Sequence, residues 1–252
     1  MIIALQTILY KEIVRFMRIW SQTLVPPAIT MSLYFIIFGK FIGAQVNAIS
    51  GYSYMQYIVP GLIMMSIMTN AYSNTSSSFF ITRFNKSIEE ILVSPTTNHV
   101  ILIGFTLGGA LRGLLVGVIV AFIAIFFTHI PIHHMSIVCA MSLLAAILFS
   151  LGGLINAIYA KRFDDISFIP TFVLTPLTYL GGVFYSIHQL PSFWQKISLM
   201  NPILNIVDTF RYGLLGISDT NIYLGFGLVS FCLILLYFWA WSLLARGVNI
   251  KT

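Results

Sequence analysis

Six stretches of this chain are apolar over the length of a bilayer, and that fact limits its fold more than any other. They run about Ser21–Gly39, Met55–Phe79, Val100–Thr128, Met135–Ala160, Ile166–Ser186 and Ile222–Leu244. A hydrocarbon core of about 30 Å needs roughly 20 apolar residues as helix. The stretches are too long and too irregular for barrel strands. A helix satisfies its own backbone hydrogen bonds, so six transmembrane helices are expected. Only 8% of the 252 residues are charged and 58% are apolar. A soluble fold of this size needs about a quarter charged residues to cover its surface. Lipid is therefore the expected solvent. Cys139 and Cys232 both sit inside apolar runs and imply no disulfide framework. A cleaved signal peptide is not expected, because the first basic residues precede a long span rather than a short apolar core and cleavage site.

The net charge of +6 is read by position along the topology, and no nucleic-acid partner is inferred from it. With the N-terminus in the cytoplasm, the inside segments hold Lys11, Arg15, Arg18, Arg83, Lys86, Lys161, Arg162, Arg246 and Lys251. The outside segments hold Lys40, Lys196 and Arg211. That bias of nine to three places both termini inside.

Residues 4–20 form a second kind of element. At 100° per residue, Lys11, Arg15 and Arg18 share one face, and Leu5, Leu9, Ile13, Phe16 and Trp20 share the other. An amphipathic helix lying on the cytoplasmic surface is expected, with its basic face toward water and headgroups. Residues 187–219 are too polar to cross and too apolar for a free loop. Pro191 and Pro202 divide them into two short helices, and Phe193, Trp194 and Tyr212 are interface aromatics. A re-entrant helical hairpin covered by neighbouring protein is expected there, before the last span.

Between the second and third spans lies NKSIEEILVSP, residues 85–95. Ser87 and Glu90 have the spacing of a capping box. Pro95 pushes Ser94 out of helical geometry and stops the helix. Thr97 or Asn98 is placed to cap the next span. Ile88, Ile91 and Leu92 form an apolar stripe, read as an edge that docks into a groove on another protein. Glu89 and Glu90 have no base or metal near them in sequence and are not read as catalytic.

Gly104, Gly108, Gly109, Gly113 and Gly117 give overlapping G-x-x-x-G spacings in the third span. They serve either packing within the subunit or a dimer seam. Arg112 lies in the same span, and a cation at that depth is costly. It either lines a translocation path and attracts an anionic substrate, or is a structural arginine that pairs with a carbonyl or snorkels. Lys161, Arg162, Asp164 and Asp165 make a tight turn between the fourth and fifth spans. His129, His133 and His134 are too few ligands for a membrane metal site. No nucleophile–base–acid set and no phosphate-binding G-x-x-x-x-G-K-[ST] loop occurs, so no catalytic residue is assigned.

The form of the short helix, with Glu90, Leu92 and Pro95, is similar to the coupling helix of ABC-2-type exporter permeases. The spacing to the proline is slightly shorter than in the family. Leu174–Gly216 resembles the C-terminal half of that family closely, in the order Gly-Gly-Val-Phe, Leu-Pro, Asn-Pro and Arg-Tyr-Gly-Leu-Leu-Gly. The likeness extends over essentially the whole chain, residues 1–252, as one transmembrane domain. It implies the permease subunit of an exporter in the bacterial inner membrane. It further implies a homodimer joined to two ABC ATP-binding subunits, with ATP and Mg on those partners and no cofactor on this chain. Ser87, Ile88, Glu89, Glu90, Ile91, Leu92 and Pro95 would then form the main contact to the ATPase. Lys161, Arg162, Asp164 and Asp165 would form a smaller one. An amphiphile, polysaccharide, lipid or drug is the expected cargo. The alternatives are a secondary carrier or channel without an ATPase, and an integral-membrane enzyme built on the histidines.

Overall fold

A computed structural model describes residues 1–43, 45–46, 48–49 and 51–249. Lys251, counted above for topology, lies outside the described residues. Among them the chain is helical throughout, with one isolated bridge between Ile49 and Tyr52 and no strand. Four helices are long and apolar enough to cross a membrane: Trp20–Ile42, Asn98–Ile125, Met135–Tyr159 and Ile222–Arg246. These correspond to the first, third, fourth and sixth expected spans.

The amphipathic segment is helix α1, Ile2–Arg18. The first span follows as α2 (Trp20–Thr23), α3 (Val25–Tyr34) and a π-helical stretch, Phe35–Ile42. Helix α4 is Tyr54–Phe84, and α5 is the short helix Ser87–Val93. Then come α6 (Asn98–Ile125) and α7 (Met135–Tyr159).

Helix α4 is the axis of the bundle. It packs on α6 and α7 along its length, and on α11 at one end. Its 31 residues would reach roughly 46 Å. It is not among the four apolar helices, because it carries Thr69, Asn70 and the run Ser73–Ser78. A helix enclosed by protein has no need to be apolar all round. Asn74, Thr75, Ser76 and Ser78 are buried, and each is tied into the bundle by a hydrogen bond. A capping box starts α4. The amide of Gln56 donates to Ser53 Oγ at 3.3 Å and the amide of Ser53 to Gln56 Oε1 at 3.1 Å.

The expected fifth span takes a different form. Helix α8 (Phe163–Ile169) runs into a π-helical stretch, Pro170–Leu174, and then α9 (Thr175–Tyr179). It stops there instead of continuing to Ser186. Prolines at 170 and 176 remove backbone donors. Gly182 then adopts a left-handed conformation, φ +67°, which glycine takes without steric cost.

The re-entrant segment divides where the prolines place the breaks. Pro191 precedes α10 (Ser192–Leu199), and Pro202 is the first residue of α11 (Pro202–Leu215). Helix α11 is buried along nearly its whole length against α4, α7 and the last helix, α12 (Ile222–Arg246). Helix α10 leaves Phe193 and Trp194 exposed.

The glycines of α6 seat other parts of the same chain. A Cβ on Gly104 would lie 2.6 Å from Ile8 Cγ2, and one on Gly108 2.6 Å from Glu12 Cβ. Gly109 meets Thr75 and Ser150, while Gly113 and Gly117 meet Ile67. One side of the stripe therefore receives α1 and the other receives α4.

Helix α1 corrects one expectation. Its buried stripe is Ile8, Glu12 and Phe16, and Ile13 and Trp20 are exposed. Of the basic face, Arg18 is exposed, but Arg15 turns inward and Lys11 Nζ reaches Thr82 Oγ1 at 3.3 Å. The reason is Glu12, which is fully buried beside Arg15 and needs a cation.

Candidate coupling and translocation sites

Helix α5 follows α4 after only Asn85 and Lys86. That turn requires Lys86 to adopt φ +59°, and helix geometry begins at Ser87. Ser87 is therefore not a cap. Its hydroxyl donates to the Thr82 carbonyl at 3.0 Å, back toward α4, so the expected capping box with Glu90 does not form. Glu89 and Glu90 still occupy the first turn, where the helix dipole favours acids. At the other end Ser94 is extended before Pro95, as the proline demands. Thr97 precedes α6 as its capping residue without a side-chain cap bond.

The apolar stripe of α5 faces its own bundle. Ile88 is 1% exposed, and Ile91 and Leu92 pack on the same cluster, formed by Phe79, Phe80, Ile101 and Leu102 among others. The expected docking edge is thus used internally, because a two-turn helix needs tertiary packing to persist. The outward surface consists of Glu89, Glu90, Val93 and Pro95, with Val93 89% exposed.

The turn at Lys161–Asp165 lies at the same end of the molecule. The ring of Phe163 meets those of Phe80 and Phe84 at 4.9 and 5.2 Å. Arg83, at the end of α4, donates to the carbonyls of Ile158 and Ala160 and so ties the root of α5 to the end of α7. The amides of Lys161 and Arg162 donate to Asp165 Oδ2 at 2.8 and 2.9 Å. These bonds hold the Asp165 carboxyl below the usual aspartate range. The cap is therefore complete at neutral pH and is lost only as pH falls through that lowered value. Lys161, Arg162 and Asp164 are exposed beside it.

Arg112 lies midway along α6 and does not stand alone. Its guanidinium donates to Thr23 O at 3.3 Å, Asn74 Oδ1 at 3.4 Å and Asn70 Oδ1 at 3.5 Å. Arg15 Nη2 donates to the same Asn74 oxygen at 2.7 Å and pairs with Glu12 at 3.2 Å. Ser78 Oγ donates to the other Glu12 oxygen at 2.6 Å. The carboxylate of this cluster thus comes from α1 rather than from a span. The signal was Glu12 itself, three residues before Arg15, a spacing at which helix side chains meet.

A second polar knot closes the opposite end. Arg211 is 1% exposed, donates to Gly182 O at 2.5 Å, pairs with Asp208 at 3.5 Å and lies 4.1 Å from the centre of the Tyr57 ring. Asp208 accepts from the amides of Asp219 and Thr220 and from the hydroxyls of Ser218 and Thr220. Asp219 in turn accepts from Ser186 Oγ at 2.6 Å and the Ile187 amide at 3.1 Å. Arg211, expected in an outside loop, is instead a buried strut. The histidines dock a loop onto α11. The amides of His133 and His134 donate to Gly213 O at 3.2 and 2.8 Å, and the His134 ring stacks on Tyr212. The His129 carbonyl accepts from Gln56 Nε2.

The described residues thus form an all-helical bundle with four membrane-length helices, a short helix held at one end and a buried polar hairpin at the other. The family model of the ABC-2 type transporter matches residues 3–215, and the chain belongs to that family. It is 54% identical over 250 residues to the inner membrane transport permease YadH of Escherichia coli (strain K12), covering 99% of this chain and 98% of that protein. It is also 24% identical over 217 residues to nodulation protein J of Rhizobium leguminosarum bv. viciae, covering 85% and 83% respectively. This is a multi-pass transport permease of the bacterial inner membrane, not an enzyme, and its family implies an ABC ATP-binding partner.

Proposed function

We propose that the chain is the membrane subunit of an ATP-driven exporter, acting as a homodimer with two ATP-binding subunits. ATP and Mg belong to those subunits. The chain crosses six times, counting α4 and the fifth stretch from Ile166 on, with both termini in the cytoplasm. The outward face of α5, Glu89, Glu90, Val93 and Pro95, meets the ATPase, and the Lys161–Asp165 turn adds a smaller contact. The hairpin at 187–219 closes the outer end. Arg112 lies on the translocation path of an amphiphile, polysaccharide, lipid or drug.

One observation carries this reading. Helix α5 is rooted rigidly by Ile88, yet presents Val93 89% exposed beside two carboxylates. A force applied to that face passes through Ile88 and Arg83 into α4 and α7. Such coupling needs two arrangements of the bundle with different nucleotide affinity in the partner.

Tagged permease, extracted gently, is expected to bring down a subunit with a phosphate-binding loop in stoichiometric amount. Val93→Asp with Glu90→Lys should weaken that association by about tenfold, since a few central residues carry most interface energy. Recovery of the permease without any ATPase, together with normal export by this double variant, refutes the reading.

A further inference from the structure

Helix α4 presents Asn70, Ser73 and Ser77 along one side. Their spacing of three and four residues places them in one stripe. Ser167 of α8 and Thr171 of the following π-helical stretch face this stripe. The walls enclose a recess of about 340 Å³, and Arg112 forms part of them. Arg112 lies midway along a helix apolar enough to cross the membrane. Hydroxyls and a cation at that depth are not left against acyl chains; they face water, protein or a polar ligand.

The charge balance identifies the ligand. Arg15 and Arg112 both donate to Asn74, and the single carboxylate of the cluster, Glu12, pairs with Arg15. The cluster therefore has one excess positive charge, and it is on Arg112, whose three bonds to neutral oxygens are all 3.3 Å or longer. The excess appears again in the hydrogen bonding. Among the described residues, seven buried side-chain polar atoms lack a partner; three of them, Arg15 Nε, Asn74 Nδ2 and Arg112 Nε, are in this cluster, and of those residues Arg112 alone lines the recess. All three are donors. A recess lined by hydroxyls, beside the guanidinium that carries the cluster's surplus positive charge, is completed by an acceptor-rich anion.

We infer that the recess binds an anionic oxygen headgroup of the phosphate class, with Arg112 as its cation and Ser73, Ser167 and Thr171 as hydroxyl donors, while the Ser77 hydroxyl donates to the Ser73 carbonyl of its own helix. The inference rests on placing Arg112 on the translocation path, and narrows the cargo to amphiphiles with such a headgroup. The planar guanidinium suits a tetrahedral oxyanion better than a point charge would. The headgroup comes either from an anionic phospholipid of the bilayer or from a separate phosphorylated amphiphile.

The test uses full-length permease in detergent and needs no ATPase, so its outcome is independent of the exporter reading. Native mass spectrometry after incubation with equal phosphatidylglycerol and phosphatidylcholine measures the lipid preference. Equilibrium dialysis measures binding of inorganic phosphate. Wild type is expected to retain phosphatidylglycerol over phosphatidylcholine by about tenfold, the equivalent of one charge-assisted hydrogen bond. Arg112→Gln should abolish the preference. Ser73→Val with Ser167→Val, which leaves the Glu12–Arg15–Arg112 cluster intact, should reduce it several-fold. Phosphate binding without a lipid preference, lost in the same variants, also supports the site and assigns it to a phosphorylated amphiphile. Equal retention of both lipids with no phosphate binding overturns the inference. So does a preference unchanged in the serine double variant, which is decisive even if Arg112→Gln fails to fold.

Discussion

Glu12→Ala is expected to lower the stability of the folded permease by about 3 kcal/mol, the lower end of the range for removing one partner from a buried ion pair, because Arg15 stays 27% exposed. Glu12 is fully buried, accepts from Ser78 at 2.6 Å and balances Arg15 at 3.2 Å. Without it, two arginines remain in one neutral pocket, and the Cβ that rests on Gly108 has nothing to anchor it. Helix α1 should then detach from α6 and α4. Thermal unfolding in detergent, followed by loss of the monodisperse peak, measures the effect. Glu12→Ala combined with Arg15→Leu should recover part of the loss, because removing both charges leaves only Arg112 uncompensated. The shortfall from additivity gives the coupling directly. A single variant within about 0.5 kcal/mol of wild type, the range of ordinary surface changes, contradicts this picture of α1.

The second large effect is at the other end. Asp208→Ala should cost about 3–5 kcal/mol, because it leaves Arg211 buried without its counter-ion. It also removes the acceptor for four donors of residues 218–220 at 2.7–3.0 Å. Asp208→Asn keeps the shape and one acceptor, so a smaller loss is expected. Hydrogen exchange should show the segment 216–221 opening in Asp208→Ala while α5 stays protected. Equal protection of that segment in variant and wild type would show that Asp208 does not hold it.

The apolar runs made the helices at 98–125, 135–159 and 222–246 legible, since lipid-facing length is a property of the chain alone. The stops at Pro95, Pro191 and Pro202 were legible for the same reason, because a proline acts locally. What escaped is what depends on the neighbour. Helix α4 reads as an ordinary span, but its serines and Asn74 show that it is the enclosed axis. Ile88 reads as a docking edge, but the shortness of the Asn85–Lys86 turn folds that edge back onto the bundle. Glu12–Arg15 and Asp208–Arg211 are both acid–base pairs three residues apart and were readable as pairs. Their burial was not, since it depends on Gly108 admitting α1 and on Tyr57 and Gly182 receiving Arg211. The Gly-x-x-x-Gly stripe was plain in sequence, while its use on both sides within one chain was not.

On the proposed function, helix α5 transmits the partner's motion through its outward face. Replacing Cys139 by Ser and Cys232 by Ala removes both native thiols. A single cysteine at Val93 then sits on that face, and a control cysteine at Ile132, 58% exposed, sits at the opposite end. A short bismaleimide applied to the permease–ATPase complex is expected to give an adduct of one permease with one ATP-binding subunit from Val93→Cys and none from Ile132→Cys. An intact complex in which Val93→Cys forms no such adduct, or in which Ile132→Cys does, contradicts the account.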